Sequence, residues 1–334
     1  MLLCSLLFLG SAILTGLFRW VAQEFQLMAV PVSRSAHSTP VPVGGGVSIV
    51  ALILFVISYG YFTEQIPANE FAAFMAAIVI ACIGIVDDMK HLDVRWRIPA
   101  QFLASTYVVY CLGNVPAIDF GLFSFPESML LNVLAIFALV WLLNLYNFMD
   151  GIDGIAATEL IAVSFVSLLI VLNSDTVLTL IFASFAAATG GFLLWNWAPA
   201  KIFMGDVGSS FIGFTLGVMA LLSLQHGSMT VWAWVLLLGV FIVDATFTLF
   251  VRIMNKQRWH EGHASHAYQN AARHYKSHAK VTVTIILINL FWLGPMAWLS
   301  MQYPQIGLVI AVIGLIPLLL LAKRFGAGSE NFSL

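Results

Sequence analysis

Residues 129–154 read MLLNVLAIFALVWLLNLYNFMDGIDG. The stretch starts as an apolar run reaching about residue 145, then becomes polar at once. Asn144, Asn147, Asp150 and Asp153 fall every third residue, with Gly151 and Gly154 interleaved. A continued α-helix would place them on one slowly drifting stripe. The two glycines instead predict a helix end, where backbone is open to close approach by a ligand. Two carboxylates and two amides at a membrane boundary suit a divalent cation or a nucleotide; a polar helix terminus facing water is the competing reading. An EF-hand is excluded, because Ile161 stands where a loop beginning at Asp150 needs a bidentate glutamate.

Composition places the whole chain in lipid. Its 334 residues are 61% hydrophobic and 9% charged, with a mean hydropathy of +0.96. A soluble domain carries about 25% charged residues. Cys4, Cys82 and Cys111 all lie in apolar segments without metal-ligand spacing, and read as small buried hydrophobes. With no repeat or soluble insertion visible, residues 1–334 are expected to form one all-α, polytopic membrane domain.

A span needs about 20 apolar residues, or fewer where polar ends line a cavity. Eleven segments qualify: 2–18, 43–62, 71–86, 99–112, 129–146, 155–172, 177–195, 210–224, 231–251, 281–299 and 306–322. The fourth is the weakest. The first is read as an uncleaved span, because its basic residue, Arg19, follows it rather than precedes it.

Charge then orients the chain. With eleven spans, all fourteen Lys and Arg fall on one face, in the odd-numbered connections and the tail. The opposite face holds only acids among its charged residues: Glu64, Glu70, Asp119, Glu127 and Asp175. The positive-inside rule makes the basic face cytoplasmic, the N-terminus outside and the C-terminus cytoplasmic.

Four further motifs share that basic face. Residues 33–46, SRSAHSTPVPVGGG, offer Arg34 and His37 to phosphate oxygens, or form a flexible turn. Asp87 and Asp88 end an apolar run and precede Lys90, Arg95 and Arg97. Adjacent carboxylates at a membrane mouth suit a metal ligand beside a general base, with Arg95 and Arg97 as phosphate contacts; a solvated helix end is the alternative. In WNWAPAKIFMGDVGSS, residues 195–210, Gly205 and Gly208 flank Asp206, and Ser209 or Ser210 is placed to cap the next helix. A glycine-led helix N-terminus is a ready anion site, Asp206 would hold a metal beside it, and Phe203 offers a ring for a base. The longest connection contains HEGHASHAYQ, residues 260–269, whose His263 and His266 suit a pyrophosphate or a polar amphipathic loop equally. Ala264 breaks the zinc-protease pattern HExxH. Four separated acidic clusters interleaved with Arg and Lys on one face describe a magnesium-assisted phosphoryl-transfer site at a membrane surface.

Asp87-Asp88, Asn144-x-x-Asn147-x-x-Asp150-Gly-x-Asp153-Gly, Phe203-Met-Gly-Asp206-x-Gly-Ser and the late histidine motif, in that order, resemble the polyprenyl-phosphate N-acetylhexosamine-1-phosphate transferases. These are relatives of the phospho-N-acetylmuramoyl-pentapeptide translocase. The resemblance covers nearly the whole chain. It implies transfer of a sugar 1-phosphate from a UDP-N-acetyl sugar to undecaprenyl phosphate, releasing UMP, in a bacterial cytoplasmic membrane. It further implies Asn147 and Asp206 as ligands of Mg²⁺ (or Mn²⁺). Asp153, Phe203, Asn196, His263 and His266 are then contacts of the nucleotide sugar. Asp87, Asp88 and Asp150 are the catalytic carboxylates, the first two at the lipid phosphate. His263-Ala-Ser-His266 departs from the translocase's adjacent histidines and is similar to the subgroup that starts O-antigen or related glycans. Membrane lipid is an expected partner and nucleic acid is not; a homodimer is compatible with the pattern. A secondary transporter using Glu159 and Asp244 is the rival reading, which would require polar residues at mid-membrane on several spans and an inverted repeat.

Overall fold

The computed structural model describes residues 1–31, 39–90, 92–121, 123–257 and 263–329. Its helices in chain order are α1 (Leu2–Glu24), α2 (Val47–Phe62), α3 (Ala68–Lys90), α4 (Val94–Leu112), α5 (Met129–Phe148), α6 (Ile155–Val171) and α7 (Thr176–Asn196). There follow α8 (Asp206–Gln225), α9 (Val231–Leu237), α10 (Gly239–Met254), α11 (Ala267–Tyr275), α12 (His278–Ile288), α13 (Gly294–Gln302) and α14 (Gly307–Arg324). Two antiparallel pairs of two-residue strands, Met28–Ala29 with Val41–Pro42 and Ile118–Asp119 with Ser124–Phe125, staple loops outside the bundle. The expected all-α membrane architecture is what the chain adopts.

Each of the eleven apolar segments falls on a helix or a broken helix. By length and composition, seven spans qualify among the described residues, eight with α9 and α10, which meet at 77°. One of the seven is composite: α12 runs through a π-helical stretch, Asn289–Leu293, into α13. α2 and α6 are apolar but short. α4 does not qualify; it begins with Arg95 and Arg97 and carries Pro99 inside.

α8 is the axis of the bundle. Within its apolar window 83% of residues are buried, against 17% for the peripheral α1. Lipid tails are as apolar as Leu, so burial alone does not draw helices together; close backbone packing does. Small residues allow it here. A Cβ on Gly84 of α3 would strike the backbone of Val207, and one on Gly208 would press on Gly46. These contacts bring the end of α3, the start of α2 and the start of α8 to one point. That point is the polar end of the bundle.

The other end is stitched by different groups. His226, just beyond α8, lies between Asp175 at the start of α7 (2.7 Å) and Glu70 in the first turn of α3 (3.1 Å). Acids thus gather at one end of α3, α7 and α8, and the motif residues at the other, matching the charge division along the sequence.

Two intramembrane acids have structural partners. Glu159 of α6 is fully buried and accepts a hydrogen bond from Asn289 at the π-helical break. Asp244 of α10 accepts from the backbone N–H of Ala267 and Tyr268, both at 2.9 Å, and from the Thr248 hydroxyl at 3.1 Å. It therefore anchors the N-terminus of α11, where the helix dipole favours a negative charge. Asp244 is thereby committed to the α11 terminus, while Glu159 keeps one buried carboxyl oxygen without a hydrogen bond from any described residue.

Candidate active site

The polar stretch ends a helix, as its glycines predict. α5 stops at Phe148, and Gly154, with a left-handed φ of 75°, starts α6. Asp150 and Asp153 lie on the loop between them, and Asn147 lies in the last turn of α5. Asn144 faces elsewhere, paired with Gln101 of α4 at 2.8 Å. The second glycine turn works similarly. Gly205, with φ 77°, precedes α8 and leaves Asp206 as its first residue.

These two turns meet. The Asn147 amide donates to Asp206 Oδ1 at 2.8 Å and to Ser209 Oγ at 3.0 Å. Around them opens a cavity of about 310 Å³, lined by Asp88, Asp150, Asp153, Phe203 and His263 together with Asn147 and Asp206. No hydrogen-bond partner from the described residues reaches the Asp150 carboxyl. Burial pushes that carboxyl well above the usual carboxylate range, and the neighbouring Asp206, Asp88 and Asp153 push it the same way. Four acids around one cavity are an electrostatic cost that a cation would relieve.

The adjacent carboxylates Asp87 and Asp88 diverge. Asp88 accepts from Asp206 N at 2.8 Å and Val207 N at 3.1 Å. The anion at the α8 N-terminus is therefore a side chain of the protein, which corrects the expectation of an open anion site there. Ser209 does not cap α8 either: its hydroxyl donates back to Gly205 O at 3.1 Å. Asp87 points away from the cavity. It accepts from Leu92 N at 2.6 Å and is ion-paired with Arg97, which lies 3.7 Å from Asp206 Oδ2.

Several expected phosphate and nucleotide contacts are placed differently. Arg95 is turned outward against Asp93, with 76% of its side chain exposed, so it does not reach the cavity. Arg97 is engaged by Asp87 behind the cavity rather than free for a substrate phosphate. His266 is buried, with Nδ1 3.2 Å from Asp244 Oδ1, and its role is to cap α11. Only His263 of the pair lines the cavity; its ring stacks on His266 at 5.0 Å. Asn196 borders the cavity while bracing two loops, accepting from Gly154 N at 3.1 Å and donating to Ile202 O at 3.0 Å. Arg34 and His37 lie outside the described residues.

Three polar cavity residues were given no part in a ligand site from the sequence: Ser209, Gln269 and His278. The first closes the motif at residues 203–209, where the sequence pattern offers it as a helix cap, and the second ends the histidine stretch 260–269. His278 carries no local signal at all. Next to the cavity lies an apolar groove of about 680 Å³ between α10, α11, α12 and α14, bordered by Lys280 and Arg324. α11 separates the two: Tyr268 lines the groove and Gln269 the cavity.

Asn147, Asp150 and Asp206 supply hard oxygen donors of the kind that suits Mg²⁺. Among the described residues no three His, Cys, Asp or Glu side chains form a ready metal cluster. A site of one or two carboxylates completed by water and substrate phosphates is the usual arrangement for this ion.

In a helical membrane protein, an acidic cavity beside an apolar groove suits a ligand with a charged head and an apolar tail. Sequence comparison agrees and narrows the class. Residues 70–224 match the family model for glycosyl transferase family 4. A probable undecaprenyl-phosphate N-acetylglucosaminyl 1-phosphate transferase of Bacillus subtilis is 28% identical, over 96% of this chain and 90% of that protein. A decaprenyl-phosphate N-acetylglucosaminephosphotransferase of Mycolicibacterium smegmatis is 30% identical, over 85% and 77%. A phospho-N-acetylmuramoyl-pentapeptide-transferase of Wolbachia pipientis is 25% identical, over 75% and 80%. This chain belongs to glycosyl transferase family 4, and is a membrane-embedded transferase.

Proposed function

We propose that the protein transfers an N-acetylhexosamine 1-phosphate from a UDP-sugar to undecaprenyl phosphate at the cytoplasmic face of a bacterial inner membrane, releasing UMP. The carrying observation is the meeting of Asp88, Asn147, Asp150, Asp153 and Asp206 in one cavity beside an apolar groove. The relatives' names support the acceptor and the sugar phosphate. The spacing of His263 and His266 favours a product that initiates an O-antigen-like surface glycan.

In the reaction an oxygen of the lipid phosphate attacks the phosphorus that bears the sugar. The bond from that phosphorus to the bridging oxygen breaks, and the oxygen leaves with UMP. Bound Mg²⁺ would neutralise the pyrophosphate and stabilise charge on the departing phosphate. Asn147, Asp206 and Asp150 are the residues placed to hold it. Phe203 offers a stacking face to the uracil, and Asp153 an acceptor for its N–H. Asp88 fixes the start of α8, and so the direction of Asp206. Arg97 holds Asp87 at the rear of the site. The groove takes the first isoprene units, with Lys280 and Arg324 at headgroup depth drawing the lipid phosphate in.

Purified protein in detergent, given undecaprenyl phosphate and Mg²⁺, should release UMP with at least one of a panel of UDP-N-acetyl sugars. Absence of UMP with every sugar, in protein that remains folded, would overturn the proposal.

A further inference from the structure

We propose that His278 is a positioning residue for the nucleotide end of the donor, acting through Asp153. The inference rests on the UDP-sugar reading above and adds to it a residue outside every motif of the sequence. α12 begins at His278, capped by Ser277, and lays one face along the Asp153 loop. His278 Nδ1 lies 3.3 Å from Asp153 Oδ2 and 3.4 Å from Asp153 N. One turn later, on the same face, the buried Thr282 hydroxyl donates to Asp153 O at 3.0 Å. α12 thus touches the nitrogen, the carbonyl and the side chain of a single residue.

The consequence is a fixed carboxylate. Ala200 N, in the connection between α7 and α8, donates to the same Oδ2 at 3.1 Å. Ala200 N holds Oδ2 directly, while His278 Nδ1, accepting from Asp153 N, and Thr282, donating to Asp153 O, hold the backbone that carries the carboxylate, so its orientation is set. Oδ1 has no hydrogen bond from any described residue, and both Asp153 and His278 line the cavity. Oδ1 is therefore the atom presented to a ligand. A uracil N–H is the matching donor, because it needs one acceptor at a defined angle and carries no charge of its own. A loose carboxylate would lose entropy on binding; a pre-set one does not. His278 also ties the donor site to the late cytoplasmic connection, since α11 and α12 are joined only by Lys276 and Ser277.

The test compares His278→Leu with His278→Asn, whose amide oxygen can take the position of Nδ1 and accept from Asp153 N. UMP binding is measured by calorimetry beside steady-state kinetics and thermal unfolding. His278→Leu should weaken UMP binding and raise the donor KM by about tenfold, the size of one lost hydrogen bond, with a smaller change in kcat. His278→Asn should recover most of the loss. In the background of Asp153→Ala, His278→Leu should have little further effect on UMP affinity. Equal UMP affinity in wild type and His278→Leu would overturn the proposal, as would a loss that Asn does not rescue or that persists undiminished without Asp153. Failure of the wild type itself to bind any uridine nucleotide would instead overturn the donor assignment.

Discussion

The side-chain amide of Asn147 donates to Asp206 Oδ1 at 2.8 Å, joining the end of α5 to the first residue of α8 across 59 positions of sequence. The bond orients both groups: it leaves Asn147 Oδ1 without a hydrogen bond from any described residue, while Asp206 Oδ2 faces Arg97 at 3.7 Å, so a cation would meet Asp206 beside that guanidinium. Asp206→Asn keeps the shape and removes one unit of ligand charge. It should lower turnover by about a hundredfold or more and raise the Mg²⁺ concentration needed for half-maximal rate. Asn147→Leu should shift the metal requirement in the same direction. UMP release titrated with Mg²⁺ checks both, and an unchanged titration for Asp206→Asn would remove it from the metal site.

Thorough chelation should abolish UMP release, and Mg²⁺ or Mn²⁺ should restore it. The donors are hard oxygens, so a soft cation should not substitute. Full turnover in excess chelator would exclude a divalent ion from the reaction.

Asp87 and Asp88 should fail in different ways. Asp88→Ala strips the α8 N-terminus of its acceptor and should cost about 1–2 kcal/mol of stability, seen as a lower midpoint of thermal unfolding along with lost activity. Asp87→Asn leaves the α8 terminus capped and should spare UDP-sugar binding while transfer falls sharply. Equal losses of stability in the two variants would mean that the division drawn from their hydrogen bonds is wrong.

Gly151→Ala should be more damaging than its size suggests. A Cβ there would fall within contact distance of the Tyr268 hydroxyl, which donates to Phe148 O at 2.9 Å. The methyl would push α11 away from the Asp150 loop, moving the wall between groove and cavity. Activity should fall at least tenfold, and Tyr268→Phe should recover part of it by removing the colliding oxygen. No recovery in the double variant would place the damage elsewhere.

The opposite end of the bundle predicts a pH dependence of stability. Burial disfavours a charged His226, but Asp175 and Glu70 on either side outweigh it and raise its pKa above 6.5. The folded state therefore binds the proton more tightly than the unfolded chain. This contribution is fully present below pH 6.5 and is lost as pH rises through the higher folded value. The unfolding midpoint of the wild type should fall over that window relative to His226→Gln. Parallel curves for the two proteins would show that the charge on His226 does not stabilise the fold.

Much of this architecture is local information. A membrane span is legible because apolar residues must run without interruption, and orientation because the basic residues crowd one side. Gly151, Gly154 and Gly205 mark helix ends because the chain there needs conformations or approaches that a side chain obstructs. Asn147, Asp150, Asp153, Phe203 and Asp206 were therefore visible before their geometry was known. The count of spans was less so: α4 opens with two arginines, and α9 breaks from α10 at 77°, features set by neighbours rather than by hydropathy.

Direction around a helix was left to the tertiary structure. Adjacent residues point about 100° apart, and residues two apart point to nearly opposite sides. Asp87 and Asp88 must therefore diverge, as must Arg95 and Arg97, but which member meets the site depends on where α3 and α4 pack. The close contact at Gly84 turned Asp88 to the α8 terminus and left Asp87 to Arg97. Asp244, arriving from α10, drew His266 into the interior and made it a cap instead of a ligand contact. His278 was invisible because a single histidine at a helix start has no pattern. Only the packing of α12 against the α5–α6 loop, 125 residues away in sequence, brought it to Asp153.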